Sequence, residues 1–279
     1  MPLRFAPVDT SGQQRAAHGA PLRADFYWLR LAATGLCFVV FGIAALLLGL
    51  VILPLLSMLD GDRNRRRHRA RAVIAAAMRA FIHFMRAVGV LRFSFAGRER
   101  LGLPGQMIAA NHPTLIDVLF LLGFSPQATC IVKAELFRNP FTRGALRAAD
   151  YIPNAPTEDM VLRAEQELRD GQSLVIFPEG TRTVPGRALE LQRGAANIAL
   201  RGAARLTPVH ISCEPPTLSK HEPWYRIPAR RAQFTLRVGD DIDLASYRDT
   251  ARPRGSRALN AHLATLFEHG RSGRESRSS

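Results

Sequence analysis

Lysine is all but missing from this chain. Of its 38 basic residues only Lys133 and Lys220 are lysines and 36 are arginines, a skew that fits genome base composition better than selection for one ligand. Cysteine is as sparse: Cys37, Cys130 and Cys213 are distant and odd in number. That excludes a disulfide framework or a CxxC metal knuckle and fits a reducing compartment. There is no GxSxG elbow, no HExxH and no GxxxxGK[ST] loop, and the eight histidines are scattered. Serine-hydrolase, zinc-protease and P-loop readings therefore fail on missing parts, and neither a metal nor a cofactor is expected. Acidic residues number 23, leaving a net charge of +15, which points to nucleic acid or anionic lipid head groups. With aromatics at only 8% and no recognised binding module, no nucleic-acid partner is expected. At 279 residues, 47% apolar and 22% charged, the chain is too long for a stapled miniprotein and too apolar for global disorder.

Charge is also missing from one long stretch. Positions 31–59 carry no charged residue, whereas about 20 apolar residues suffice to cross a bilayer. This predicts a membrane anchor, with Phe26, Tyr27 and Trp28 as an interfacial belt. About thirty largely polar residues precede the run and no small-residue cleavage site follows it, unlike a signal peptide. Arg63, Arg65, Arg66, Arg67, Arg69 and Arg71 come next, and by the positive-inside rule they put everything after about residue 60 on the cytoplasmic side of the inner membrane. A single span leaves the arm at 1–30 outside; Gly42, Gly49 and Pro54 also permit a re-entrant anchor. Residues 72–93 read as a helix with a polar stripe of Arg79, His83 and Arg86, lying either at the membrane interface or against the domain.

From about residue 100 short apolar runs alternate with helical stretches. Strands are expected at 106–110, 128–132, 173–177, 206–211 and 233–238. Helices are expected at 158–170, capped by Thr157 and stopped by Gly171, and at 256–269. The fold class is α/β, a largely parallel central sheet flanked by helices and preceded by the anchoring helical segment. The chain thus divides into a polar arm (1–30), an anchor (31–59), a basic linker with the amphipathic helix (60–99), an α/β domain (100–269) and a disordered tail (270–279).

Two loops carry the chemistry. NHPTLID at 111–117 follows the first of these strands, with Pro113 suited to the first helical position and His112 as its cap. Imidazole is the side chain whose ordinary titration lies nearest neutral pH, so His112 is a candidate general base, and Asp117 can hold its other ring nitrogen. FPEGTRT at 177–183 follows a second strand. There Gly180 lets backbone approach a ligand and Arg182 offers a planar fork for phosphate or carboxylate.

Together the two loops, sixty-seven positions apart from His112 to Glu179, resemble the 1-acyl-sn-glycerol-3-phosphate acyltransferase family within the glycerolipid acyltransferase group. The resemblance extends over roughly residues 85–215 and includes LQRGAANIA at 191–199 and TPVHI at 207–211. It implies transfer of an acyl group from acyl-CoA or acyl-carrier protein to the hydroxyl of a lysophospholipid, most simply 1-acylglycerol-3-phosphate, in phospholipid biosynthesis beside membrane lipids. It makes His112 the base and Asp117 its partner, with Glu179, Gly180, Thr181 and Arg182 placing the acceptor. The family's middle motif resembles KxxLFxxPFxGxxLRxxGxIxxxR. Here it starts at Lys133, but Asp150 replaces its second glycine and Pro156 its final arginine, which is associated with the acceptor's phosphate. Arg138, Arg143 or Arg147 could substitute. A different lipid or polyene acceptor, or a non-catalytic anionic-lipid-binding membrane protein indifferent to His112, are the alternative readings.

Overall fold

The structure, a computed structural model, describes residues 26–59, 61–155, 157–184 and 189–272. Residues 1–25 of the arm, Pro156 and residues 273–279 of the tail lie outside the described residues. The apolar run forms one long helix, α1 (Tyr27–Ser57). It does not fold back at Gly42, Gly49 or Pro54. Pro54 has no N–H for the carbonyl four residues earlier, and the helix absorbs the defect as a π-turn at Leu48–Ile52 rather than breaking.

Helix α2 (Arg63–Ala87) takes in the arginine run, because the Asp62 carboxylate caps it by accepting from Arg65 N at 2.8 Å. It ends before Gly89, which sits at φ +80°. The helix expected at 72–93 is therefore corrected at both ends: its last residues belong to strand β1 (Leu91–Ala96). Of the polar stripe, Arg79 donates to Gly123 O at 2.7 Å, while His83 and Arg86 are exposed and lie against the Phe93 ring, His83 edge-on and Arg86 over its face.

Next come β2 (Gln106–Ala110), α3 (Asp117–Gly123), β3 (Thr129–Lys133), α4 (Arg143–Ala148), β4 (Ile152–Asn154), α5 (Glu158–Arg169) and β5 (Leu174–Ile176). The chain finishes with α6 (Arg193–Gly202), β6 (Arg205–Glu214), β7 (Ala232–Val238), α7 (Ala245–Arg248) and α8 (Arg252–Ser272). Thr157 holds the N-cap position of α5 but its side chain makes no capping bond, while Gly171 stops the helix at φ +77°.

Among the described residues the sheet has seven strands in the order β1-β7-β6-β2-β5-β3-β4, and of these strand pairs only β6 and β7 are antiparallel. β2 is buried throughout, and its residues alternate between two cores. Ile108 and Ala110 join the cluster under α2 and α3, whereas Met107 and Ala109 join the one under α5, α6 and α8. A strand buried on both faces reads as a short unbroken apolar run, as this one does. β2 and β5 are parallel neighbours with Ala109 opposite Ile176. His112 and Glu179 each lie three residues further on, so the strand register brings the two loops together at one sheet edge, where parallel sheets bind ligands.

Helix α1 packs lengthwise on this domain. Near its start Arg30 donates to Pro228 O and Ala229 O at 2.9 and 2.8 Å. In its middle, rings of Phe38 and Phe41 meet Trp224 and Phe81. Near its end Gly49 meets Gly144, where an added Cβ would stand 2.6 Å from Gly49 O. The opposite face is apolar and uncovered, with Leu36, Val39, Ile43, Leu47 and Leu50 exposed.

Candidate active site

β2 ends at Ala110, and the next side chain replaces the ladder. The Asn111 carboxamide accepts from Ile211 N at 2.7 Å and donates to Ile211 O at 2.8 Å, locking the loop to β6. His112 follows, stacked on Phe177 with ring centroids 4.1 Å apart. Its Nδ1 lies 2.9 Å from Asp117 Oδ2. Asp117 is fully buried and also accepts from Thr114 N and Thr114 Oγ1, both at 2.6 Å. These bonds close residues 114–116 into a turn, so α3 begins at Asp117 and not at Pro113, and His112 is not its cap. The fold-back of His112 over that turn brings together two groups that would not face each other on an ideal helix. An ionised carboxylate only accepts, so Nδ1 carries the proton and Nε2 keeps its lone pair.

The second loop serves the first. Glu179 Oε1 accepts from His112 N at 2.9 Å and from Thr183 Oγ1 at 2.7 Å, and Thr183 N donates to His112 O at 2.7 Å. Glu179 is buried and these bonds fix the backbone of His112. Gly180 turns the chain at φ +66° and is exposed with Thr181. Arg182 reaches across to the loop after β6, donating to Leu218 O at 3.0 Å and Ser219 O at 2.9 Å. Leu218 O also accepts from Leu115 N, so three loops meet at one carbonyl.

A cavity of about 570 Å³ opens at His112 and is lined also by Lys133, Gly180, Thr181, Arg182 and Lys220. Both lysines of the chain thus face one site. Sequence reasoning passed over Lys220; its signal was the rarity of lysine among 38 basic residues. None of Arg138, Arg143 and Arg147 lines this cavity. Cys130 lines it too, but burial pushes its thiol up to about 12, which leaves it protonated and a poor nucleophile. Beneath the His112 loop a second, apolar cavity of about 250 Å³ lies between α1 and the domain. Leu115, Val118 and Leu136 line both. Among the described residues no cluster of three His, Cys, Asp or Glu could hold a metal.

The middle motif's second glycine position explains itself: Asp150 sits at φ +54°, a conformation glycine adopts freely. The aspartate bears this at a strain of roughly 1 kcal/mol, and its carboxylate lies 3.1 Å from Arg163.

Comparison with known proteins agrees with this geometry. Residues 92–212 match the family model for acyltransferases. The 1-acyl-sn-glycerol-3-phosphate acyltransferase of Pseudomonas aeruginosa is 27% identical over 149 residues, 51% of this chain and 58% of that protein. The yeast Saccharomyces cerevisiae protein of that name is 28% identical over 144 residues, 48% of this chain and 47% of its own length. The match thus spans about half the length of these relatives. The crystal structure of the 1-acyl-sn-glycerophosphate (LPA) acyltransferase PlsC from Thermotoga maritima has the same fold, with a TM-score of 0.64 at 19% identity over 86% of this chain and 95% of that one. Over residues 92–212, which hold both loops, the chain is therefore similar to the acyltransferase family.

Proposed function

We propose that the chain is an O-acyltransferase that moves a fatty acyl group from acyl-CoA or acyl-carrier protein to the hydroxyl of a lysophospholipid, 1-acylglycerol-3-phosphate, in phospholipid biosynthesis. The observation that carries this reading is the buried Asp117 holding Nδ1 of His112 at 2.9 Å, so that Nε2 is left as a base in a cavity with cations on one side and an apolar chamber on the other. Nε2 takes the proton of the acceptor hydroxyl as its oxygen attacks the thioester carbonyl. The O–acyl bond forms, the C–S bond breaks, and the imidazolium returns the proton to the departing thiolate. Asp117 stabilises the imidazolium in between. The acyl chain lies in the apolar cavity beyond Leu115 and Val118, and Lys133, Lys220 and Thr181 meet the phosphate of the acceptor. Glu179 and Arg182 act by holding the loops that carry His112 and Lys220.

In this reading α1 anchors the enzyme at the cytoplasmic face of the inner membrane. Its contacts run from Arg30 to Gly49, a rise of about 28 Å at 1.5 Å per residue, close to the thickness of a bilayer's hydrocarbon core. A helix held to one domain over that length favours an anchor that stays on one side, with its uncovered apolar face in the lipid, over a single span.

Pro156 in place of the motif arginine favours a second reading, a different lysolipid or lipid alcohol as acceptor. The test is acyl transfer from labelled acyl-CoA and acyl-carrier protein to a panel of acceptors. Product from 1-acylglycerol-3-phosphate is the expected result; product from another acceptor alone moves the assignment to the second reading, and none from any acceptor leaves a lipid-binding protein.

A further inference from the structure

We propose that an arginine-lined basin between the end of α1 and the start of α2 is a second phosphate site, built for the head group of an anionic two-chain phospholipid. The basin is a cavity of about 580 Å³ and shares no lining residue with the His112 cavity. Arg63, Arg66, Arg67 and Arg69 of α2 and Arg147 of α4 line it, and Asp150 is its one carboxylate among the described residues. That carboxylate is divided: Arg163 approaches it at 3.1 Å and Arg63 and Arg67 at 3.9 Å each. Glu167 is occupied by Arg67 and the buried Arg71. Arg66 and Arg147 have no ion pair with a described residue, and Nε of Arg67 is buried without a hydrogen-bond partner.

Guanidinium groups gathered in a cavity whose lining offers one carboxylate repel one another, and a phosphate that accepts from the forks of Arg66 and Arg147 relieves that repulsion. Free phosphate offers the same oxyanion. The basin, however, is also walled by Leu53, Pro54 and Leu56 at the end of α1. Taking α1 as embedded in lipid, this wall lies where the glycerol and first methylenes of a phospholipid would be. A lipid uses both surfaces; inorganic phosphate uses only the arginines.

Native mass spectrometry of the full chain in mild detergent tests the site without any acyl donor, so its result is independent of catalysis. The probes are dihexanoyl phosphatidylglycerol, dihexanoyl phosphatidylcholine and inorganic phosphate, applied to wild type, Arg66→Gln/Arg147→Gln and Lys220→Gln. Both arginines are exposed, so the double variant should fold, and an unchanged circular dichroism spectrum checks this. The expected result is a phosphatidylglycerol adduct weakened at least tenfold in the double variant, kept in Lys220→Gln, and not displaced by millimolar phosphate. Equal binding by wild type and the double variant, or equal binding of phosphatidylcholine, overturns the site. Full displacement by inorganic phosphate overturns the lipid as its occupant.

Discussion

Asp117 has three donors on two oxygens and no exposure, so its charge has one outlet toward the cavity, through the His112 ring. Asp117→Asn keeps the volume but turns an acceptor into a group that can donate to Nδ1, which stabilises the wrong tautomer. We expect kcat to fall by roughly 10²–10⁴ with little change in KM, read by steady-state kinetics alongside thermal unfolding. The role proposed for Lys220 is different. Lys220→Gln should raise KM for a phosphate-bearing acceptor about tenfold or more, the scale of one charged hydrogen bond, and leave an uncharged lysolipid analogue unaffected; equal effects on both would remove it from the phosphate site. The contact between His112 and Asp117, the proposed base and its partner, was legible in the sequence because both lie within seven consecutive residues. The second loop was legible as chemistry but not as mechanics: nothing in FPEGTRT announces that Glu179 bonds the His112 backbone or that Arg182 braces Leu218 and Ser219. Those contacts depend on strand register and on a loop after β6.

Among the elements, buried strands with unbroken apolar runs were found close to their true ends, and β1 and β4 were missed. β1 continues the apolar run of α2 with no polar break, and only Gly89 at φ +80° marks the change. β4 is three residues long and contains Pro153, which a strand tolerates chiefly at a sheet edge, where β4 lies. The α1–α4 contact was not legible, since it joins glycines ninety-five positions apart. It makes a prediction: Gly144→Val meets Gly49 backbone and should destabilise that packing by about 1–3 kcal/mol, seen as a lower unfolding temperature and faster proteolysis near residue 60, while Gly61→Val, with open space around it, should not. A further prediction concerns α8. Burial lowers the His262 imidazole below its ordinary 6.5, and Tyr247 Oη lies 2.6 Å from its Nδ1. The unfolded chain therefore takes up this proton first, so stability from the contact is present above about pH 6.5 and lost as pH falls through the lowered value. His262→Gln should flatten the fall in unfolding temperature between pH 7 and 5; an unchanged slope would assign that fall to other groups.

At the scale of the whole molecule, the sequence announced an apolar helix followed by arginines and an α/β domain, and the structure joins them into one body. The domain side of α1 helps wall the apolar cavity under the His112 loop, through Thr34, Cys37, Phe38 and Phe41. In the proposed reading, anchor and acyl chamber are thus the same helix read from two faces, which hydropathy alone cannot reveal because both faces are apolar. In the proposed reaction a lipid acceptor would reach His112 without its chain crossing water, which would otherwise cost about 0.8 kcal/mol per exposed methylene. The central claim is that Nε2 of His112, oriented by Asp117, is the base for acyl transfer. It is tested most directly by the rate of labelled acyl transfer to the preferred acceptor for purified wild type and His112→Ala, with membrane binding and circular dichroism measured on both. The account predicts a loss of at least about 10²-fold in a variant that still folds and binds membranes; a folded His112→Ala protein that transfers acyl groups at the wild-type rate would contradict it.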